Sequence, residues 1–77
     1  MSTKKVKPRF VICIYNKDSE ASLELRKIYQ VLPDEKAAKS KYLRIVDESG
    51  EDYLYPEQYF VSVELPATVE KALLKAS

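Results

Sequence analysis

The amino-acid sequence predicts a mainly β (all-β) fold, a small five-stranded barrel followed by a short C-terminal α-helix. Short apolar and β-branched runs recur between polar, turn-forming segments, which is typical of a small all-β domain. The only glycine separates two of these runs, and the hydrophobic spacing becomes helical after Pro66. A chain of 77 residues has room for a single core. We therefore expect one domain, with the barrel over residues 10–65 and the helix over residues 66–77.

The first strand is predicted at residues 10–15, a continuous apolar run that is typical of a strand buried on both faces. Cys13 lies in this run, and we expect it in the core because a buried free cysteine behaves as a small hydrophobe. Turn-forming side chains follow at residues 16–20. Leu23 and Leu25 then alternate with polar residues, which predicts a half-buried strand.

Residues 27–32 leave two interpretations open. The concentration of Ile, Tyr and Val favours a strand. A helix is the alternative, because Leu25, Ile28 and Leu32 also have the spacing of one helical face. Residues 33–41 are polar and begin with a proline, so they predict a loop with room for one helical turn.

A β-hairpin is predicted next, from residues 42–46 to residues 52–55. Gly50 lies in its turn, where a positive φ is needed and glycine adopts it without steric cost. The acidic residues between Asp47 and Asp52 lack the spacing of a helix–loop–helix calcium site. We therefore expect a charged hairpin tip rather than a metal site.

The last strand and the helix follow a short 3₁₀ turn at residues 56–59, where Pro56 fixes the first φ. Residues 60–65 alternate as the last strand, with one face formed by Val61, Val63 and Leu65. Residues 66–76 form the predicted helix, whose apolar stripe comprises Val69, Ala72, Leu73 and Ala76. A helix of about ten residues is marginal alone in water. We therefore expect it to pack on the barrel rather than on a second copy of the chain.

Composition and charge predict a soluble, cytoplasmic protein. The chain is 45% hydrophobic and 32% charged, and it has no apolar run long enough to cross a bilayer and no apolar signal-peptide segment. Four cations and no acid lie in the first nine residues, which leaves nine Lys+Arg and twelve Asp+Glu, a net charge of −3, in the rest. We expect residues 1–9 to be a flexible basic leader that is solvated or that contacts an acidic partner. Its cations are Lys4, Lys5, Lys7 and Arg9.

Catalysis and cofactor binding are not expected. The chain has no histidine to serve as a base, one cysteine, and one glycine, which is too few for a glycine-rich phosphate loop. One cysteine without histidine cannot complete a zinc site. The sequence therefore predicts a protein that is not an enzyme and that has no cofactor.

Three segments resemble the Src-homology-3 family and occur in the family's order. They are residues 23–32, similar to its first long loop and second strand, 42–50, similar to its third strand and distal turn, and 53–61. The last segment resembles the fourth strand, 3₁₀ turn and fifth strand, including the Pro-x-x-Tyr spacing of Pro56 and Tyr59. The whole sequence also resembles small bacterial proteins of this type. The resemblance implies a Src-homology-3-like barrel over residues 10–65.

The same resemblance implies a peptide-binding groove, because the family binds proline-rich peptides across aromatic side chains. Carried over by position, and extended by Tyr55, the groove would comprise Tyr15, Tyr42, Tyr55, Pro56 and Tyr59. Asp18 and Glu20 would lie at its edge and pair with a basic peptide residue. The chain departs from the family in three ways: Tyr42 replaces a ligand-binding tryptophan, the loop at residues 16–22 is shorter, and the C-terminal helix is additional. The alternative is that the six tyrosines only cover a thin core.

The predicted function is thus a monomeric protein-protein interaction module whose partner is another protein or a peptide, not a membrane. Two alternatives remain. One is a small nucleic-acid-binding barrel, in which the basic leader would be joined by Lys39, Lys41 and Arg44. The acidic body of the chain argues against nucleic acid. The other alternative is a structural subunit of a larger complex.

Overall fold

A computed structural model describes residues 10–76 of the chain, so the predicted basic leader at residues 1–9 lies outside the described residues. Five strands and two α-helices make up the fold. They are β1 (Phe10–Cys13), β2 (Ile28–Leu32), α1 (Glu35–Lys39), β3 (Tyr42–Val46), β4 (Asp52–Pro56), β5 (Phe60–Val63) and α2 (Ala67–Ala76), with a 3₁₀ helix at Glu57–Tyr59 between β4 and β5. The mainly β architecture with a C-terminal helix is confirmed.

All five strands belong to one antiparallel sheet in the order β4-β3-β2-β1-β5. The edge strands β4 and β5 do not pair with each other, so hydrogen bonding leaves the ladder open. Only the 3₁₀ helix separates these two edges in the chain. The sheet must therefore curl until its edges approach at this turn. The rings of Tyr55 in β4 and Phe60 in β5 meet there edge-on, with centroids 6.3 Å apart.

The concave face of the curled sheet holds the core. Side chains alternate between the two faces of a strand, and the register places Val11 opposite Tyr29 and Leu43 opposite Tyr55 on this inner face. The buried cluster consists of Val11, Cys13, Leu23, Tyr29, Ile45 and Phe60. The predicted core position of Cys13 is thus confirmed. The outer face carries Phe10, Gln30 and Val46 in adjacent register positions.

The segment before β2 is not the half-buried strand that the alternation of Leu23 and Leu25 predicts. It forms turns, with Leu23 completely buried and Leu25 exposed. Its backbone is satisfied locally, because the amide of Leu23 donates to the Ser19 carbonyl and the Asn16 side chain donates to the Leu23 carbonyl. The alternation therefore reflects one anchoring leucine in a loop. For residues 27–32 the strand interpretation is confirmed by β2.

β1 also ends earlier than predicted. Its ladder stops at Cys13, opposite Phe60, and the expected strand residues Ile14 and Tyr15 are exposed. The chain leaves the sheet here because the partner strand β5 begins at Phe60, directly after the 3₁₀ helix. One further hydrogen bond, from the Ile14 amide to the Tyr59 carbonyl at 2.8 Å, connects the residues after β1 to that 3₁₀ helix.

The segment between β2 and β3 contains α1, one of the two possibilities that the sequence leaves open. Asp34 caps this helix, because its Oδ1 accepts a 2.9 Å bond from the Ala37 amide. Its Oδ2 accepts a 2.8 Å bond from Nε of Arg44. The same carboxylate therefore starts the helix and ties it to β3. Lys41, at a positive φ of 64°, turns the chain from the helix into that strand.

The hairpin turn between β3 and β4 confirms the position predicted for the glycine. Gly50 has a φ of 87°, and its amide donates to the Asp47 carbonyl at 2.9 Å. Of the acidic residues in the predicted charged tip, Asp47 is buried whereas Glu48, Glu51 and Asp52 are exposed. The Asp47 carboxylate accepts bonds from the Ser49 amide, the Ser49 hydroxyl and the Tyr55 hydroxyl, at 2.9, 2.6 and 2.6 Å. Asp47 is thus the hydrogen-bonded centre of the turn.

β5 ends at Val63 rather than at residue 65, and α2 begins one residue after Pro66. The carbonyl of Pro66 accepts bonds from the amides of Val69 and Glu70, so proline immediately precedes the first helical turn. No side chain of α2 is fully buried. Leu73 and Leu74 nevertheless line cavities together with residues of the outer sheet face. Within residues 10–76, neither helix is long and apolar enough to cross a lipid bilayer.

Candidate functional site

Two tyrosines that are far apart in sequence form an aromatic pair, in which Tyr15 is exposed and Tyr59 is half-buried. Tyr15 follows β1 and Tyr59 ends the 3₁₀ helix, and their ring centroids are 4.9 Å apart with the planes tilted by 57°. The backbone bond from Ile14 to the Tyr59 carbonyl holds the two segments together. Tyr15 is 45% exposed. The pair therefore presents aromatic surface to solvent on a backbone that is already fixed.

The aromatic pair rests on the core. Tyr59 packs against the buried cluster, and its ring centroid lies 6.3 Å from that of Phe60. Phe60 in turn contacts Tyr55 edge-on. Rings held in this way lose little conformational freedom when a ligand binds, which favours their use as a binding platform.

Tyr42 and Pro56 form a second pair beside the first. They are register partners in β3 and β4, and the Glu57 amide donates to the Lys41 carbonyl at 2.9 Å, which fixes the end of this hairpin. Tyr42 and Pro56 line one groove of about 930 Å³. Phe60 lies in the wall of the same groove and contacts Tyr59, so it connects the groove to the aromatic pair.

Tyr55 occupies a different place from the other tyrosines of the predicted groove. It lies on the opposite face of β4 from Pro56, since adjacent strand residues alternate. Its hydroxyl donates to Asp47 at 2.6 Å and its ring contacts Phe60. Burial, followed by the hydrogen bond to Asp47, raises its pKa. Tyr55 thus supports the fold from the inner face.

The two acidic residues predicted at the groove edge are exposed in the loop that follows β1. Asp18 has a positive φ of 71° in a tight turn, and Glu20 follows it. Within residues 10–76 neither carboxylate forms an ion pair. Both are exposed and so remain available to a cation from a partner.

A cluster that the sequence analysis missed anchors this loop to the hairpin. The Tyr29 hydroxyl accepts a 2.7 Å bond from the Glu24 amide and donates to Oε2 of Glu48 at 2.6 Å. Lys27 pairs with the same oxygen at 2.6 Å, and the Glu48 amide donates to the Ser22 carbonyl. The bonds from Lys27 and Tyr29 lower the pKa of Glu48. Burial, followed by the bond to Glu48, raises the pKa of Tyr29.

The basic residues considered for nucleic-acid contact do not form one free cationic surface. The guanidinium of Arg44 is held by Asp34 and Asp52, both at 2.8 Å. Lys39 and Lys41 are exposed at the end of α1. The other cations of that hypothesis, in the basic leader, lie outside the described residues.

Catalytic and metal chemistry find little support in the described part of the chain. Cys13 is completely buried and its Sγ donates to the Tyr15 carbonyl at 3.4 Å. Burial raises the pKa of this thiol, which disfavours the nucleophilic thiolate. Between residues 10 and 76, no group of three His, Cys, Asp or Glu side chains is arranged to hold a metal ion.

Comparison of the chain with protein-family models, with curated proteins and with solved structures gives no match. A function for this surface must therefore be inferred from its own residues.

Proposed function

We propose that this chain is a non-enzymatic protein-interaction domain that binds a short extended peptide on its aromatic surface. The observation that carries the proposal is the Tyr15–Tyr59 pair, in which the exposed ring of Tyr15 lies against the half-buried ring of Tyr59 with centroids 4.9 Å apart. The Tyr42–Pro56 pair extends this surface along the groove. We define the peptide surface as Tyr15, Tyr42, Pro56 and Tyr59.

A Src-homology-3-like barrel is the finer form of the fold in this proposal. The strand order and the 3₁₀ helix between β4 and β5 support it. Hydrogen bonds leave these edges unpaired, so closure would come from side chains such as Tyr55 and Phe60. The free, buried Cys13 is in keeping with action in a bacterial cytoplasm, where thiols stay reduced.

The chemistry of the surface favours a proline-rich peptide with a basic residue. A polyproline helix is already ordered before it binds, and its rings pack well on tyrosine faces. Each tyrosine offers both an apolar ring and a hydroxyl that can bond a peptide carbonyl. Asp18 and Glu20 would attract the cation, but as exposed groups they add mainly to the association rate and orientation.

Titration with a synthetic peptide of alternating prolines and one terminal arginine tests the proposal. We expect backbone amide NMR shifts at Tyr15, Tyr42 and Tyr59, and smaller shifts at Asp18 and Glu20. Tyr15→Ala should weaken binding by about tenfold, because it removes half of the aromatic pair.

Tyr53→Ala is the matched control, since Tyr53 is 50% exposed but lies on β4 outside the peptide surface. It should leave the affinity within about twofold of the wild-type value. Equal losses in both variants, or shifts confined to another face, would show that this surface does not bind the peptide.

A further inference from the structure

A second concave site lies on the outer face of the sheet, between the end of α2 and strands β2 and β3. It is a cavity of about 290 Å³, close to the lower limit for small-molecule pockets. We call it the helix pocket. Its apolar walls include Phe10, Val31, Leu32, Tyr42, Leu43 and Leu74. A site of this size and lining fits one or two fused rings.

The charged groups at the rim of the helix pocket are already satisfied. Arg44 gives Nε and Nη2 to Asp34 and Nη1 to Asp52, each at 2.8 Å. The second oxygen of Asp34 accepts the Ala37 amide. The three side chains together carry one net negative charge, so the rim disfavours an anion. Both oxygens of Asp34, the carboxylate that lines the helix pocket, are already bonded. This arrangement favours a neutral ligand over an anionic one.

One polar side chain in the wall remains free to bind. Gln30 lines the helix pocket, and among the described residues its side-chain amide has no hydrogen-bond partner. An amide both donates and accepts, so it matches a carboxamide on a ligand. A pocket with apolar walls and one such group would orient a ligand as well as enclose it.

We infer that the helix pocket binds a neutral, mainly apolar small molecule of one or two rings that carries a carboxamide or an equivalent donor–acceptor group. This site is distinct from the peptide surface except for Tyr42, which lines both. The small-molecule site does not rest on the proposed peptide-binding function.

Two probes of equal size and shape test the charge argument. Naphthalene-1-carboxamide is neutral and naphthalene-1-carboxylate is an anion, and each can be titrated into the full chain with methyl NMR detection. We expect saturable shifts of Leu32 and Leu74, whose side chains lie on the outer-face side of the helix pocket, with the carboxamide. The carboxylate should bind at least about tenfold more weakly, because the rim offers no free cation.

Leu73 and Leu74 provide a matched pair of variants. They are adjacent in α2 and 36% and 37% exposed, but Leu74 lines the helix pocket whereas Leu73 lines a different cavity, beside Lys27 and Glu48. Leu74→Ser should weaken carboxamide binding about fivefold or more, and Leu73→Ser should change it less than about twofold. Circular dichroism of both variants verifies that they fold.

Gln30→Met tests the polar contact at nearly constant volume. It should weaken the carboxamide by about fivefold while leaving unsubstituted naphthalene unaffected. The inference is overturned if the carboxamide fails to saturate, if the carboxylate binds as well, or if Leu73→Ser and Leu74→Ser weaken binding equally.

Discussion

The hydroxyl of Tyr29 lies between a loop amide and a hairpin carboxylate, so a single polar atom joins segments that are distant in sequence. It accepts from Glu24 and donates to Glu48 in a largely buried position. Buried polar groups that lose their partner cost more than the bond itself contributes, because water cannot replace it. The Tyr29 hydroxyl is one of several hydrogen-bonding groups that fix the irregular loop after β1.

We predict that Tyr29→Phe lowers the free energy of unfolding by about 1–3 kcal/mol, because the Glu24 amide loses its buried partner. Urea denaturation followed by circular dichroism measures this loss. Tyr53→Phe removes a hydroxyl of the same kind from an exposed bond to Glu51. It should cost less than about 0.5 kcal/mol. Similar losses in both variants would mean that the Tyr29 bridge is not a stabilising contact.

At the scale of elements, the β3–β4 turn is the part of the fold in which sequence and structure agree most closely. Gly50 supplies the positive φ and Asp47 supplies the bonds. Burial alone would raise the pKa of Asp47, but the bonds from Ser49 and Tyr55 outweigh it and hold the pKa below its usual value of 3.8. The ionised carboxylate is therefore the form that stabilises the turn.

The pH dependence of this contribution follows from the direction of the shift. Its stabilisation is complete above the unfolded pKa of 3.8 and is lost as the pH falls through the lower folded pKa. We predict that Asp47→Asn lowers the free energy of unfolding by about 1–2 kcal/mol at pH 7, and that the difference from wild type shrinks below about pH 4. Urea titrations at several pH values measure it.

Asp18→Asn is the control for the loss of one carboxylate, since Asp18 is exposed and has no ion pair among residues 10–76. It should change the free energy of unfolding at pH 7 by less than about 0.5 kcal/mol. A pH-independent difference for Asp47→Asn would contradict the proposed role of its charge.

Local periodicity and turn chemistry were sufficient to predict the elements whose backbone partners are near in sequence. β3, the glycine turn and the 3₁₀ helix after Pro56 are of this kind. The strand predicted from the alternation at Leu23 is wrong, because one buried leucine in a loop produces the same short pattern as a strand. Periodicity reports which side chains are apolar, but not what satisfies the backbone between them.

The candidate site was only partly predictable for a related reason. Tyr15 and Tyr59 were named in the sequence, but their contact depends on the β1–β5 pairing across the whole chain. The sequence groups Tyr55 with them as an aromatic residue beside the Pro56–Tyr59 turn, whereas the folded chain directs its hydroxyl to Asp47 on the inner face. The Arg44 ion pairs likewise join residues that only the folded chain brings together.

For the whole molecule, α2 is the element that covers the outer face of the sheet, and its contribution to stability can be measured directly. It offers Leu73 and Leu74 to the outer face, while both remain more than one third exposed. Full burial of a leucine contributes roughly 1.5–3 kcal/mol, and partial burial contributes less. The helix should therefore add modestly to stability as a cover on the sheet.

We predict that Leu73→Asp lowers the melting temperature of a monomeric protein by several degrees, since a carboxylate would replace apolar contact beside the sheet. Calorimetry measures the melting temperature and sedimentation velocity the mass. Ala72→Asp, at an exposed neighbour in the same helix, should have a smaller effect. An unchanged melting temperature for Leu73→Asp would place α2 outside the cooperative unit. Conversion of a dimer into a monomer would identify the helix as an interface.

The central position of β1 determines the order in which this chain can fold. Among the strands of residues 10–76, β1 is the first to be synthesised, yet it lies between β2 and β5, and its Cys13 pairs with Phe60. The meander of β2, β3 and β4 needs only short loops, whereas the β1–β5 ladder must close most of the chain, which is slow. On a ribosome, the apolar first strand would therefore have one side unpaired until the last strand has emerged.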